Sequence, residues 1–538
     1  MRRFHSYGPV DPDQHYCVPR TALIEQCVSQ LVGNPDKGGH FFTIWAPRQT
    51  GKTWLMRRAI EELRARHGDR FLVGAISMQS VVLKDEGPPE EVLGWLPELF
   101  SWGMQIKVPR PADWKELAGL FRREAGVFDR PLILLIDEFD KLPPAAIDKF
   151  IGAFRDLYLT RETSLLHGLA LIGVRAVLGV ESPRGSPFNV QRSLHVPNLT
   201  RDEVRELFRQ FQEERGQAIE PQVVEALYDM TRGQPGLVGW FAELLTEKYN
   251  PGPRPIDMGI WQEVYAAACQ IEHNNTMLNL LKKAQGPYLP KVLEIFGKTN
   301  VPFSYGQEWC NYLSLNGIID THKIIGDNGL PLHVCRFSSP FVQQRLFNDL
   351  SKEIVERVRD LPLDPMDTLA DVFAEAGPKA GIDVPALLRR YVAFLGRLHK
   401  KGADPWPKTL NDQPRRADLR HTEAVGHFHL YWWLTEACAR LYLLTPEFPT
   451  GNGKVDLHIQ YEDRAGLIEV KSFTSQAELA AQKAQAARYA ASRGLLEATL
   501  ALFVPSDDEE LIQELSRTDA IQIGAAEVRI HTVAVAAQ

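Results

Sequence analysis

Short apolar runs punctuate the first half of the chain: Phe41–Trp45, Phe71–Ile76, Leu132–Ile136 and Leu169–Val174. Each is bounded by polar or turn residues. Uninterrupted apolar runs of this length suit strands buried on both faces of a parallel sheet. Amphipathic helical stretches lie between them, beginning near Thr21–Leu31. That alternation predicts a three-layer α/β domain. Beyond it, Thr200 and Glu203 stand at capping-box spacing, and Val204, Leu207, Phe208 and Phe211 mark one face of the helix that follows. Gly216 closes that helix, and a second covers Pro221 to Thr231.

The segment Asn250–Asp257 carries three prolines and reads as a linker. Residues 258–350 are mainly helical in pattern and end in a hairpin. There Ile318–Ile325 and Leu332–Phe337 flank Gly326-Asp327-Asn328-Gly329, and helix, helix, hairpin suggests a winged helix. Prolines in Leu361–Pro365 and in Lys401–Pro414 break the chain again. The remainder reads helix, strand hairpin, helix, strand, helix, strand. The expected division is an arm at 1–40, an α/β domain with helical lid at 41–250, a winged-helix middle at 258–350, a helical linker at 351–410 and an α/β domain at 411–538.

Composition narrows the partners. The chain has 538 residues, 44% apolar and 24% charged, an ordinary globular balance. Lys and Arg number 61 and Asp and Glu 68, for a net charge of −7, which excludes a globally basic nucleic-acid coat. Any nucleic-acid contact must be a local patch. The six cysteines are scattered without a CxxC pair, so a reducing, cytoplasmic setting is expected. No apolar stretch reaches the ~20 clean residues that a membrane helix needs, and the first residues lack the apolar core of a signal peptide.

Ala46-Pro47-Arg48-Gln49-Thr50-Gly51-Lys52-Thr53 follows a predicted strand and precedes a predicted helix, the context a P-loop requires. Backbone N–H groups there cradle phosphate. Lys52 is placed to reach the β and γ phosphates of ATP, and Thr53 to put its hydroxyl on Mg²⁺. Ala46 replaces the usual first glycine, a change small enough for binding to survive. The strand Leu132–Ile136 runs into Asp137-Glu138, a Walker B pattern. In it Asp137 holds Mg²⁺ through water and Glu138 activates the attacking water. Arg175, at the tip of the next strand, reads either as a phosphate sensor or as one half of a surface ion pair. No arginine finger is readable: Arg155 and Arg161 lie on the helix and loop before that strand, where fingers sit in the AAA+ ATPases that the motifs below resemble, and surface charge is the alternative.

APRQTGKT, LLIDEFD, LIGVR, SPFNV and TRGQPGLV, in this order, resemble AAA+/STAND-type ATPases over roughly residues 1–350. The resemblance implies that the first P-loop position is variable and that Pro235, in Gly233-Gln234-Pro235-Gly236, lies near the nucleotide. It also implies that the arm Tyr7–Arg20 closes over the adenine. The candidate recognition helix Gly306–Asn316 has no Lys or Arg and contains Glu308. It therefore reads as part of a lid and not as a DNA-reading element.

The C-terminal segment has its own chemistry. Gly451–Ile459 and Leu467–Phe473 alternate with period two, so Glu469 and Lys471 share a face and Asp456 comes from the neighbouring strand. Two carboxylates make a hard oxygen site for Mg²⁺, and a lysine beside them can orient water or offset charge. Glu423, on a predicted helix, is a third candidate ligand. An exposed Glu-x-Lys ion pair is the alternative reading. With Gln485 and Tyr489 at helical spacing downstream, residues 415–538 resemble the PD-(D/E)xK nuclease superfamily. In that resemblance Asp456 matches the metal-binding aspartate, Glu469 and Lys471 the ExK motif, and Gln485-x-x-x-Tyr489 the QxxxY element. It implies a restriction-endonuclease-like α/β domain that cuts DNA with Mg²⁺.

The expectation is an ATP-gated, Mg²⁺-dependent DNA-cleaving protein acting in defence against phage or mobile DNA, with homo-oligomer formation left open. The alternative is a signalling switch whose C-terminal domain is a non-catalytic platform for DNA or protein.

Overall fold

The computed structural model describes residues 2–83, 87–173, 193–297, 301–325, 330–355, 382–400, 419–437, 443–450, 453–461, 464–473, 475–492, 494–506, 508–524 and 526–536. The chain divides into two compact units, Met1–Ala267 with Ser304–Ile318, and Ala268–Phe303 with Ile319–Gln538.

The first unit is built on a five-stranded sheet: β1 (Phe41–Trp45), β2 (Leu72–Ser77), β3 (Leu132–Asp137), β4 (Leu166–Gly173) and β5 (Ser193–His195). Its order is β2-β3-β4-β1-β5, and every neighbouring pair is parallel. The apolar runs alternate between two cores. Phe41, Leu132, Leu134 and Ile136 pack with Leu99, Phe100, Phe150 and Phe154 on one face. Phe42, Ile44, Ile133 and Leu135 pack with Leu31, Leu55, Ala59 and Leu63 on the other. A strand that must satisfy two helical layers has no polar position to spare, which is why these runs lack alternation. This is the α/β fold of a P-loop ATPase, a parallel sheet between helices.

A helical segment begins at Thr200. Its Oγ1 accepts from Glu203 N at 3.2 Å, and Glu203 Oε2 accepts from Thr200 N at 2.8 Å, a complete capping box on the helix Arg201–Arg215. The helices Pro221–Thr231 and Pro235–Glu243 follow. The N-terminal arm lies on them. Phe4 rests against Phe208 and Phe211, and Ser6 Oγ donates to Glu243 Oε2 at 2.7 Å. The proline-rich stretch after these helices is tied back, because Gln217 Nε2 donates to the carbonyls of Asn250 and Arg254.

Helices Asn275–Ala284, Leu289–Gly297 and Glu308–Leu315 precede an antiparallel pair, β6 (Ile319–Ile325) and β7 (Pro331–Phe337). In the second unit the helix Pro340–Val355 packs on the helix Leu419–Ala437, where Tyr431 Oη donates to Asn348 Oδ1 at 2.8 Å. The second unit also holds a six-stranded sheet. Its strands are β8 (Leu443–Thr450), β9 (Gly453–Tyr461), β10 (Arg464–Ser472), β11 (Glu497–Val504), β12 (Thr518–Ile523) and β13 (Ala526–Ala536). The order is β12-β13-β11-β10-β9-β8. The central pairs β10–β11 and β11–β13 are parallel, and the outer pairs antiparallel.

The sequence pattern gives the hairpin β9–β10, one strand after the helix Gln476–Ser492 and a single last strand where the structure has the pair β12 and β13, and it does not give β8. β8 and β12 are the sheet edges. β8 contains Pro446 and Pro449, residues that cannot donate to a ladder and are tolerated at an edge. The helix Val384–Lys400 falls in the segment expected as a linker. It buries Leu387, Leu388, Tyr391 and Phe394 in the same core as Ile468, Val470 and Trp433.

Candidate functional site

The P-loop leaves β1 at Trp45 and enters the helix Lys52–His67. Two residues take the left-handed conformation on the way, Gln49 (φ 58°) and Gly51 (φ 92°). Glycine accepts that conformation without a Cβ penalty at Gly51, the last residue before the helix. Thr50 Oγ1 closes the loop by donating to Pro47 O at 2.9 Å.

Lys52 points back into the loop. Its Nζ donates to Ala46 O at 2.8 Å and to Pro47 O at 2.7 Å. Burial pushes its ammonium down to about 8, against the pull of Asp140, Glu138 and Asp137, while Arg48 adds to the fall. Thr53 Oγ1 meets Asp137 Oδ2 at 3.1 Å. Asp137 is buried at the end of β3, and its Oδ1 accepts from Glu138 N at 2.9 Å. Burial raises its carboxyl above the ordinary range, against the hydrogen bonds from Thr53 and Glu138.

Asp137 and Thr53 come together because their strands end at the same edge of the sheet, with β4 between β3 and β1. A hydroxyl and a carboxylate with their oxygens 3.1 Å apart are the hard donors that Mg²⁺ takes, so the residues fit that ion. Glu138 follows with φ 53°, half-exposed, its carboxylate 3.7 Å from Lys141 Nζ.

The Gly233–Gly236 element reaches this loop directly. Gln234 Nε2 donates to Arg48 O at 3.2 Å, and Gly236 N donates to Gln49 O at 3.2 Å. Pro235 is the first residue of its helix, and Gln234 Oε1 caps Leu237 N at 2.5 Å. Sequence reasoning singled out Pro235. The contacts themselves belong to its two neighbours, and both were legible in the GQPG string.

Arg175 lies outside the described residues. The half-buried Arg161 guanidinium stacks 3.7 Å from the Tyr158 ring centroid and lies 5.9 Å from that of Phe41.

With that geometry in view, residues 5–250 match the family profile of an AAA-like domain. This segment is a P-loop AAA-like ATPase domain. Among solved structures the chain is similar to the Walker-type ATPase PABY2304 of Pyrococcus abyssi, at 15% identity and TM-score 0.42 over 64% of this chain and 99% of that one. It is similar also to the Aeropyrum pernix ORC1 protein in complex with DNA, at 14% identity and TM-score 0.32 over 64% and 94%. The Thermotoga maritima RuvB Holliday junction branch migration motor follows at 15% identity and TM-score 0.33 over 59% and 92%. No curated protein matches the chain. Relative to the AAA-like domain, the second unit lies beyond the matched residues.

In that unit Glu469 and Lys471 share one face of β10, as their spacing predicts. Glu469 is 4% exposed, and Lys471 Nζ stands 3.4 Å from its Oε1. Their face is opposite to Ile468 and Val470, which pack with the helices Val384–Lys400 and Leu419–Ala437. Leu467 on the same strand face packs with Leu479, Ala486 and Tyr489 of the helix Gln476–Ser492. Tyr489 is thus core, and Gln485 is half-buried.

β9 pairs with β10 so that Leu457 is opposite Ile468, which puts position 456 beside position 469. The side chains of Asp456 and Glu423 lie outside the described residues. Among the described residues no group of three or more His, Cys, Asp or Glu side chains could hold a metal. No helix among them is long and apolar enough to cross a membrane.

Proposed function

We propose that the protein uses ATP bound in its AAA-like domain to control a Mg²⁺-dependent nuclease site of the PD-(D/E)xK kind in its C-terminal sheet. The observation that carries this reading is the buried carboxylate of Glu469. It is held 3.4 Å from a lysine on the same strand face, beside the strand position of Asp456. Removing a carboxylate from water is costly, and a purely structural ion pair gains little from it. A site that must bind a cation and position water has a use for that burial.

In the ATPase cycle Lys52 leaves the carbonyls of Ala46 and Pro47 to meet the β and γ phosphates, and the loop N–H groups from Arg48 to Thr53 cradle them. Thr53 and Asp137 hold Mg²⁺, which when bound offsets charge on the phosphates. Glu138 orients the water that attacks the γ phosphate. Arg175 senses the γ phosphate, and Pro235 sets the lid on the loop.

At the second site Asp456 and Glu469, with Glu423 as a third donor, would hold Mg²⁺, and Lys471 would orient water toward a DNA phosphodiester. The C-terminal domain starts near residue 382, because Val384–Lys400 belongs to its core. Residues 258–350 are a winged-helix segment with a structural or regulatory part. The setting is cytoplasmic, in STAND-like homo-oligomers that act against phage or mobile DNA. The test is cleavage of plasmid, linear and single-stranded DNA with Mg²⁺, with and without ATP. Cutting by the wild type and none by Asp456→Ala supports the reading. Equal cutting by both, or none by either while ATP is hydrolysed, sinks it.

A signalling switch is favoured by one observation: Lys471 already neutralises Glu469, as a structural pair would. Calorimetry with Mg²⁺ separates the two readings, since a platform binds the ion no better than Asp456→Asn does.

A further inference from the structure

Arg20 is at odds with its own position. It is the last residue before the helix Thr21–Val32, and its φ of 44° is left-handed. A residue with a Cβ takes that conformation rarely and at a cost. Helix starts favour Ser, Thr, Asp or Asn, which bond the free N–H groups, and they favour negative charge. Arg20 is positive, and its side chain caps nothing in that helix. Several local preferences are broken at one residue, a pattern that marks positions kept for another purpose.

The side chain, 8% exposed, reaches the short connection between β5 and the helix Arg201–Arg215. Its Nη2 donates to Pro197 O at 2.9 Å and to Asn198 O at 3.3 Å, and Nε meets Glu203 Oε1 at 3.2 Å. The other oxygen of Glu203 closes the capping box. The same connection is held from its far side. Asn198 Nδ2 donates to Arg232 O at 3.2 Å, and Leu199 N to Gly233 O at 2.8 Å. Those two residues lead straight into Gln234, which bonds the P-loop at Arg48 O. The helices Arg201–Arg215, Pro221–Thr231 and Pro235–Glu243 are thus fastened at their entry by Arg20, and at the P-loop by Gln234 and Gly236.

We propose that Arg20 is a positioning residue for nucleotide binding: by fixing the entry to these helices it sets where Gln234 and Gly236 meet the P-loop. The inference rests on the reading of the P-loop as the nucleotide site. A guanidinium suits the task, because its rigid fork serves two successive carbonyls and a carboxylate at once, whereas lysine is a point charge on a flexible stem. With the entry loosened, the loop keeps its partners in only part of the population, and apparent affinity falls by that fraction. ATP and ADP use the same loop, so both lose alike.

The experiment is calorimetric titration of ADP and ATP against wild type, Arg20→Gln, Gln234→Asn, the double variant and Lys52→Ala, with a thermal melt of each. Asparagine is a good helix cap, but it is a methylene shorter and falls short of Arg48 O. Arg20→Gln is expected to weaken both nucleotides several-fold in the wild-type background, and by clearly less beside Gln234→Asn, whose lost contact it serves. A merely structural arginine lowers the melting temperature without that coupling. Unchanged affinity of a folded Arg20→Gln, the same loss in both backgrounds, or a loss confined to ATP overturns the proposal. If Arg20→Gln does not fold, Arg20→Lys takes its place with the same expectations. If Lys52→Ala binds like wild type, the reading of the P-loop fails. If it loses binding while Arg20→Gln is unchanged, the Arg20 proposal alone fails.

Discussion

Gly236, in the first turn of the helix Pro235–Glu243, donates its backbone N–H to the carbonyl of Gln49 at 3.2 Å, joining that helix to the P-loop at a residue with left-handed φ. The other end of that helix carries Glu243, which accepts from Ser6 of the N-terminal arm at 2.7 Å. One short helix thus touches the phosphate loop at its start and the arm at its end. Movement of the loop on binding nucleotide has a mechanical route to both.

Adding a methyl at Gly236 tests that joint. The new Cβ would lie 2.8 Å from Gln49 Cβ, and overpacking of this kind costs about 1–3 kcal/mol. Gly236→Ala is expected to weaken ATP binding by roughly 5- to 100-fold while the AAA-like domain stays folded. Titration of ATP with a parallel thermal melt checks it, and unchanged affinity would show that the joint is passive.

Arg161 provides a second test. Its guanidinium lies on aromatic faces, a contact worth about 0.5–2 kcal/mol. Arg161→Gln is expected to lower the unfolding midpoint and to leave ATP turnover per folded molecule within about twofold. An arginine finger would give the reverse, with a rate loss of roughly 10³-fold or more at unchanged stability.

The second unit contains a buried pair that predicts its acid behaviour. Tyr391 Oη and His429 Nδ1 share a 2.7 Å hydrogen bond between the helices Val384–Lys400 and Leu419–Ala437. Burial pushes the His429 imidazole down to about 3 from 6.5. Between those values the unfolded chain binds a proton that the native unit refuses. Stability is therefore full above pH 6.5 and falls as pH drops toward 3, by about 1.4 kcal/mol per unit. Denaturant melts at pH 7 and pH 5 should differ by roughly 2 kcal/mol in this unit, and His429→Leu should remove that difference. The Tyr391 hydroxyl then lacks its partner at about 1–3 kcal/mol, which Tyr391→Phe added to His429→Leu restores. A pH slope that survives His429→Leu contradicts the assignment.

Much of the first unit is legible in the sequence. Residues such as Ile133 and Leu134 each face a helical layer, so the apolar runs are unbroken and easy to see. Thr200 with Glu203 and Gly51 before Lys52 are local signals, and the structure honours them. What the sequence hides depends on partners distant along the chain. Lys52 folding back on Ala46, Asp140 standing over Gly173 and Arg161 lying on Tyr158 are products of strand order and packing. The edge strand β8 is hidden for another reason: an edge needs neither full burial nor every ladder bond. In the second unit the spacing of Glu469 and Lys471 was sufficient to put them on one face, but not to show that the carboxylate is buried.

The central claim is that ATP held by Lys52 controls cutting at Glu469. The most direct measurement is a time course of DNA cleavage with Mg²⁺, with ATP or ADP, for wild type, Lys52→Ala and Glu469→Gln. The account predicts cleavage by the wild type that changes between ATP and ADP. It predicts cleavage by Lys52→Ala that no longer responds to nucleotide, and none by Glu469→Gln. Cleavage by Glu469→Gln at the wild-type rate, or no cleavage by a wild type that hydrolyses ATP, would contradict it.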